Sequence, residues 1–462
     1  MISLLLGLAA CQPSADGALR RADRPSTDPP LDTAADSGPR DTGGADTAQA
    51  DTGAGSTDTG EGTVSLPAFY AADQLQSPIN AAIRDRLVAL RAAGSRLDAQ
   101  VFMKVGDSIT VDPNALGCFA STEVNLGDRD DLQGTIDHFL AGEAGSSTPW
   151  DRETRAAEIG QTAAWAMEGD PSPVDRELDK LDPAFAVIQY GTNDMHMAES
   201  FKAAMDPFVS SMLDLIDHVL EASVVPVLVT IPPRLDDADA DTWVSIYNAA
   251  IRGMAQGRQV PLVDLELGLR AVDGYGLYPD GVHLEPYPNG ACKLGDSGLA
   301  YGCNVRNLLV LDGLDRARRA ALEGEVLDPD APGISGAGTA ADPIGVHTFP
   351  FSDLRDTADA TDRRLDRYTG CDSDADLSGA EVVYRFALAR ETTVRAMVFD
   401  RGEVDVDVAF LGETADEDAC VERDDAQVRK TLDPGTWHVV VDTRTRDGSP
   451  RPGEYLLVIV EG

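Results

Sequence analysis

The sequence predicts two folded regions: a three-layer α/β region built on a parallel sheet, then an all-β sandwich. Three observations support this. Across about 67–330, short β-prone apolar runs alternate with longer amphipathic ones, the pattern of a parallel sheet with helices on both faces. Across 344–462, short alternating or apolar runs stand between turn residues, as in a sandwich. Between them, 331–343 is rich in Gly, Ala, Pro and Ser and reads as a linker.

A length of 462 residues suits two domains plus a linker. The formal net charge of −41 argues against a nucleic-acid partner, because a phosphate backbone would be repelled. Residues 1–10 are apolar and too short to span a bilayer, so they read as an export signal. The run from Leu8 to Cys11 resembles a bacterial lipobox, which implies lipidation at Cys11 and an extracytoplasmic, membrane-anchored protein at an outer membrane or cell surface. No Lys or Arg precedes the apolar run. Residues 11–66 are dominated by Asp, Thr, Gly, Ala and Pro, with repeated Asp-Thr pairs and no aromatic residue. Such a stretch buries too little apolar surface to offset its ordering entropy, and is expected to be a disordered acidic linker.

Within 67–330 the elements follow in order. A helix is expected from Gln74 to Ala93, with Ile79, Ile83, Leu87 and Leu90 on one face. A strand from Val101 then breaks at Gly106 and delivers Asp107 and Ser108. A long polar excursion from Val111 to about Pro149 follows, and Asp151 to Met167 looks helical with an interruption near Gly160. The second strand, Ala184 to Tyr190, leads into Gly191, Thr192, Asn193 and Asp194. Helices are expected over Ala198–Ala222, Ala238–Arg258 and Val305–Leu322, with strands over Val224–Ile231 and Val260–Asp264. The loop after the last strand holds Asp280 and His283.

Ester hydrolysis by serine needs an activated hydroxyl, an oriented base and donors for the oxyanion. Ser108, Asn193, Asp280 and His283 all follow strands, on the carboxyl edge where parallel sheets bind ligands. Taken singly, each has a plainer reading. Gly-Asp-Ser is a common turn, and Gly295 to Ser297 repeats it. Asn193 can cap a helix, and Asp280-Gly281 can be a turn beside a chance histidine. His196 and His218 read as surface residues, and His138, His347 and His438 carry no assigned role.

Together the blocks Gly106–Thr110, Gly191–Asp194 and Asp280–His283 resemble the SGNH (GDSL-like) hydrolases, over about 67–330. The resemblance implies a flavodoxin-like three-layer fold and a serine esterase acting through an acyl-enzyme. It implies Ser108 as nucleophile, His283 as base and Asp280 as its orienting partner. It implies an oxyanion hole from the Ser108 amide, the Gly160 amide and the Asn193 side chain. The segment at Gly160 lacks the Asn that often precedes this glycine. No cofactor or metal is implied. The expected substrates are acyl esters of lipids or acetylated carbohydrates; the alternative is a catalytically silent binding or adhesion lipoprotein.

Residues 344–462 resemble bacterial pre-peptidase carboxyl-terminal domains, through the runs at 381–386, 404–408 and 434–442. Asp372, Asp374 and Asp376 suggest calcium, but Leu377 and Val383 stand where an EF-hand needs Gly and Glu, so they read as a solvated loop. Of six cysteines, Cys292 could pair with Cys303 and Cys371 with Cys420, leaving Cys118 over; free buried thiols are the other reading.

Overall fold

The structure, a computed structural model, describes residues 67–371 and 375–462. The expected signal peptide, Cys11, the linker over 11–66, Asp372 and Asp374 lie outside the described residues. The described residues belong to one compact unit.

Four strands, β1 (Asp98–Gly106), β2 (Pro183–Gln189), β3 (Val225–Val229) and β4 (Leu262–Val263), pair in parallel in the order β1-β2-β3-β4. Every residue of β2 and β3 is buried. Burial on both faces is why these strands read as unbroken apolar runs instead of alternating ones. Beyond β1 an extended fragment lies along Gly106, whose N–H donates to Ala156 O while Glu158 N donates to Gly106 O, each at 3.2 Å. Counting that fragment as the edge, the order is the flavodoxin-like 2-1-3-4-5, whose switch point lies beside β1.

The helices are α1 (Ala81–Ala93), α2 (Ser108–Val111), α3 (Gln133–Leu140), α4 (Ala163–Ala166), α5 (Pro173–Leu181), α6 (Phe201–Glu221), α7 (Ala238–Arg258), α8 (Leu265–Leu269) and α9 (Gly302–Arg318). Several start where side chains satisfy free amides, although α3 and α9 have no side-chain cap. Asn80 accepts from Ile83 N, Ser200 from Ala203 N, and Ser172 forms a capping box with Asp175. Two expected helices are shorter than their patterns. Residues before α1 are extended instead, with Ser77 N donating to Leu262 O and Asp264 N to Leu75 O, so edge pairing outcompetes the helix. Asp151 to Thr162 is not helical either, because the pairing of Ala156–Glu158 with Gly106 holds it extended; only α4 remains of that expectation.

The carboxyl-terminal strands are β5 (Ile344–Gly345), β6 (Phe351–Asp356), β7 (Glu381–Leu388), β8 (Thr392–Asp400), β9 (Val406–Leu411), β10 (Cys420–Asp424), β11 (Gln427–Leu432), β12 (Gly435–Thr443) and β15 (Glu454–Glu461), with a small hairpin of β13 (Thr445–Arg446) and β14 (Ser449–Pro450). They form two sheets, ordered β10-β9-β12-β7-β5 and β11-β8-β15-β6. Apart from the parallel β5–β7 contact, all their pairings are antiparallel. Phe351, Tyr384, Val398, Phe410, Val439, Leu457 and Ile459 lie in the core between them.

The second sheet is buried on its other face too. Leu354, Met397, Phe399, Leu456 and Val458 join the hydrophobic core of the α/β region. Along β15, Tyr455, Leu457 and Ile459 therefore belong to one core, and Leu456, Val458 and Val460 to the other. Small residues on α7 permit the approach: a Cβ on Gly253 would lie 2.6 Å from Leu456 Cδ1, and one on Gly257 would lie 2.5 Å from Leu354 Cβ. At the rim, Arg258 forks between Asp217 and Glu454, and Arg401 reaches Asp214, Asp217 and Glu454. Near 331–343, Phe69 N donates to Pro332 O and Ile334 N to Pro67 O, so that segment runs beside the first described residues.

Two disulfides are present, Cys118–Cys292 and Cys371–Cys420. The second matches the sequence expectation. The first overturns it: Cys292 pairs with Cys118, and Cys303 is the buried free thiol. Nearness in sequence misleads here. Asn125 pairs with Lys293 and carries the 118 loop onto the 292 loop, whereas Cys303 is already inside α9. Disulfides persist in oxidising, extracytoplasmic compartments. No helix among the described residues is long and apolar enough to cross a membrane.

Candidate active site

β1 ends at Gly106, where the chain turns sharply enough that only glycine fits. A Cβ there would lie 2.2 Å from Thr110 Oγ1 and 2.7 Å from Gln189 O. Asp107 then caps α2 by accepting from Ile109 N at 3.0 Å. Ser108 is the first residue of α2, so its amide has no acceptor within the helix.

Ser108 Oγ lies 2.9 Å from His283 Nε2. His283 Nδ1 lies 2.8 Å from Asp280 Oδ2. A carboxylate only accepts, so Nδ1 carries the proton and Nε2 presents its lone pair to the serine. Burial pushes the Asp280 carboxyl up, but the amides of Val282 and His283 and the imidazole outweigh it and leave it below its usual range. The loop is braced from both sides: Tyr278 N donates to His283 O at 2.8 Å, and Leu235 N to Gly281 O at 2.9 Å.

Gly160 occupies an exposed turn with φ +77°, a left-handed conformation that glycine adopts without strain. Its neighbour Gln161 accepts from Asn193 Nδ2 at 2.9 Å, and the same Nδ2 lies 3.4 Å from Asp107 Oδ2. Ser108, His283 and Asp280 are thus joined in one hydrogen-bonded row, and Asn193 and the Gly160 turn are linked to it through Asp107 and Gln161. The second Gly-Asp-Ser, at 295–297, lies in a turn region between Lys293 and Leu299 and does not follow a strand.

Several supporting groups were not singled out from the sequence. Asp194 is buried and accepts from Ala163 N at 2.9 Å and Gly191 N at 3.0 Å, tying the Asn193 loop to α4. Arg234 donates to Thr192 O at 2.9 Å and pairs with Asp236, next to the loop that braces Gly281. Burial pushes Asp107 up to about 6, against the pull of the Ile109 amide, Arg306 and His283. It pushes Asp194 up to about 7. Asp107 and Asp194 were already inside the motif blocks and could have been read as their braces. Arg234 had no such signal.

Among the described residues, Asp405, Asp407 and Asp425 in the β region could bring carboxylate oxygens to one ion. Arg423, Arg444 and Arg446 already pair with them, which supplies the positive charge that a cation would bring. His138, His218 and His438 are bonded to Ala99 O, Asp175 and Gly412 O, and His196 lies beside Arg234.

Residues 105–287 match the model of the GDSL-like Lipase/Acylhydrolase family, an interval that spans Ser108 through His283. No curated protein matches the chain. Among solved structures, a GDSL-like lipase from Bacteroides thetaiotaomicron is 15% identical, with 51% of this chain and 99% of that chain covered and a TM-score of 0.31. A two-domain esterase active on acetylated mannans is 14% identical, with 81% and 95% covered and a TM-score of 0.30. The pre-peptidase C-terminal domain of a Bacillus anthracis collagenase is 12% identical, with 25% and 91% covered and a TM-score of 0.17, and the carboxyl-terminal β region resembles it. The match to the GDSL-like Lipase/Acylhydrolase family thus falls within the α/β region of this chain.

Proposed function

We propose that this protein is an exported serine esterase, that Ser108 is its nucleophile, and that Cys11 carries a lipid anchor to an outer membrane or cell surface. The observation that carries the catalytic reading is the row Asp280–His283–Ser108, with contacts of 2.8 and 2.9 Å. His283 Nε2 takes the proton of Ser108 Oγ as Oγ bonds to the acyl carbon. The carbonyl oxygen becomes an oxyanion, facing the Ser108 amide, the Gly160 amide and Asn193 Nδ2. Collapse breaks the ester bond, and the departing alkoxide takes the proton from His283. Water then attacks the acyl-enzyme while His283 takes its proton, and collapse returns that proton to Ser108 and frees the acid. Asp280 holds the imidazole in one tautomer and stabilises the imidazolium.

Asn193 has an apparent competitor for its role, because both bonds of Nδ2 are internal. The 3.4 Å contact with Asp107 is at the weak end of hydrogen-bond geometry, and an oxyanion can replace it. Catalytic hydrogen bonds often tighten only once substrate is present.

The test is a fluorophosphonate probe on the purified protein, with short acyl esters assayed in parallel. Labelling and turnover are expected in the wild type and lost in Ser108→Ala, with turnover also lost in His283→Ala. A folded wild type that neither labels nor turns over esters would instead make the chain a surface binding protein.

A further inference from the structure

Beside α2 lies a cleft of about 550 Å³, large enough for one or two sugar-sized groups. Its wall includes Thr110 and Val111, from the single helical turn that Ser108 opens, and Ala157, from the fragment paired with Gly106. The cleft wall therefore includes the residues two and three positions after the proposed nucleophile, although Ser108 and His283 do not themselves line it. Its chemistry is unlike that of an acyl tunnel. Lys104, Asp112, Asp151, Arg152 and Glu153 all line it. An alkyl chain laid there would meet Val111, Pro113, Ala115 and Ala157, but it would also strip water from these charged groups, which a hydroxylated ligand need not do.

The charges can be sorted further. Arg152 is already matched by buried Glu177, at 3.0 and 3.1 Å. That leaves one ammonium, Lys104, facing Asp112, Asp151 and Glu153, so an anionic ligand is repelled. No aromatic side chain lines the cleft, so a quaternary ammonium finds no ring face. Lys104 is itself buried and donates to Trp150 O at 2.9 Å. An ammonium has three N–H groups, so others remain for a ligand. A neutral hydroxyl suits the place: it can accept from Lys104 and donate to Glu153 or Asp112.

We propose that this cleft binds the neutral, polyhydroxylated alcohol part of the ester, a sugar unit in its simplest form, and that Lys104 and Glu153 recognise its hydroxyls. This rests on the esterase reading above. The competing surface is the set of exposed apolar side chains on the loops around the triad, among them Ile159, Met197, Leu235 and Tyr278. Those stand singly on separate loops, which is ordinary for a protein surface, whereas the cleft is concave and can enclose a ligand.

The experiment compares three esters on the full chain: mono-acetylated methyl glucoside, p-nitrophenyl acetate and p-nitrophenyl decanoate. Two variants probe the cleft. In Gly117→Met the new side chain enters open space, since a Cβ there meets nothing nearer than Trp150 O at 4.0 Å. Glu153→Gln is the milder change and needs no rearrangement. The expected result is that kcat/KM for the glucoside ester, relative to p-nitrophenyl acetate, falls about 10- to 100-fold through KM, the size of one or two lost ligand hydrogen bonds. An unchanged ratio in both variants overturns the cleft assignment. So does a wild type that prefers the decanoate, which would shift the site to the apolar loops. Fluorophosphonate labelling of Ser108 separates the two levels: labelling with an unchanged ratio defeats the cleft alone, and absent labelling defeats the esterase reading and the cleft with it.

Discussion

Asn193 holds two hydrogen bonds of unequal length, 2.9 Å to Gln161 O and 3.4 Å to Asp107 Oδ2, and the proposed oxyanion role would draw on the longer. The short one fixes the amide plane, and the long one is the donor free to move. Asn193→Ala is expected to lower kcat about 10²- to 10³-fold while Ser108 still accepts a fluorophosphonate label. Unchanged kcat in steady-state assays would remove Asn193 from the oxyanion hole. The carboxylates beneath it make a second prediction. Asp107 and Asp194 sit at about 6 and about 7, above their ordinary 3.8, chiefly because burial disfavours the charged form. Between 3.8 and those values the folded chain keeps protons that the unfolded chain has released. Their contribution to stability is full below 3.8 and is lost as pH rises toward about 7. Asp194→Asn removes one of these titrations. It also leaves one oxygen for two amide donors, which costs about 1–3 kcal/mol. Thermal melts should show a lower starting stability and a shallower decline from about pH 4 to about pH 7 than the wild type; a parallel decline would refute the assignment. At this scale the sequence was informative wherever chemistry demands a residue type. Ser108, Asn193, Asp280 and His283 could be picked out because each follows a strand in a set order, and the structure brings the serine, histidine and aspartate into one row. The structural work of Asp194 and Arg234 was not, because a carboxylate or guanidinium in a loop is solvated by default until the fold buries it.

The β1–α2 element shows how a local pattern can be decisive. An apolar strand, a glycine, an aspartate cap and a serine on the first helical turn are contiguous, so the element can be read without its distant partners, even though Gln189 O also closes the space at Gly106. Residues 151–162 show the opposite. Their composition suits a helix, yet two hydrogen bonds to Gly106 hold them extended, and that partner lies about fifty residues earlier. Cys292 fails for the same reason, since its partner is 174 residues away. Peptide mapping without reduction should recover linked peptides for Cys118–Cys292 and Cys371–Cys420, with the Cys303 thiol alkylated only after unfolding. A Cys292–Cys303 peptide would contradict the fold of the 114–125 loop. Replacing Cys118 and Cys292 together by serine should cost about 2–5 kcal/mol in denaturant titrations, because a long loop is released.

At the scale of the molecule, the sandwich is bonded to the α/β region by a face of side chains, not only by the chain that connects them. The apolar run of β15 carried that information: every residue from Tyr455 to Val460 is buried, alternately toward two different cores. A sheet with one wet face would have shown polar residues at every second position. Gly257→Val should therefore weaken the whole protein, since the branch enters the space of Leu354. Overpacking of this kind costs about 1–3 kcal/mol, and calorimetry should show one transition moved down as a unit. Two separate transitions, with only one displaced, would show that the interface does not couple the halves.

The glycines at 253 and 257 also bear on whether the halves can be separated. A binding module joined by a flexible tether can be exchanged between enzymes as a cassette, because neither side has to fit the other. Here the helix is notched to receive the sheet, and the sheet is apolar on the side that a free-standing sandwich would keep wet. Neither half could be transplanted without recutting the surface it leaves and the surface it joins, so either half produced alone is expected to expose that apolar face and to associate through it.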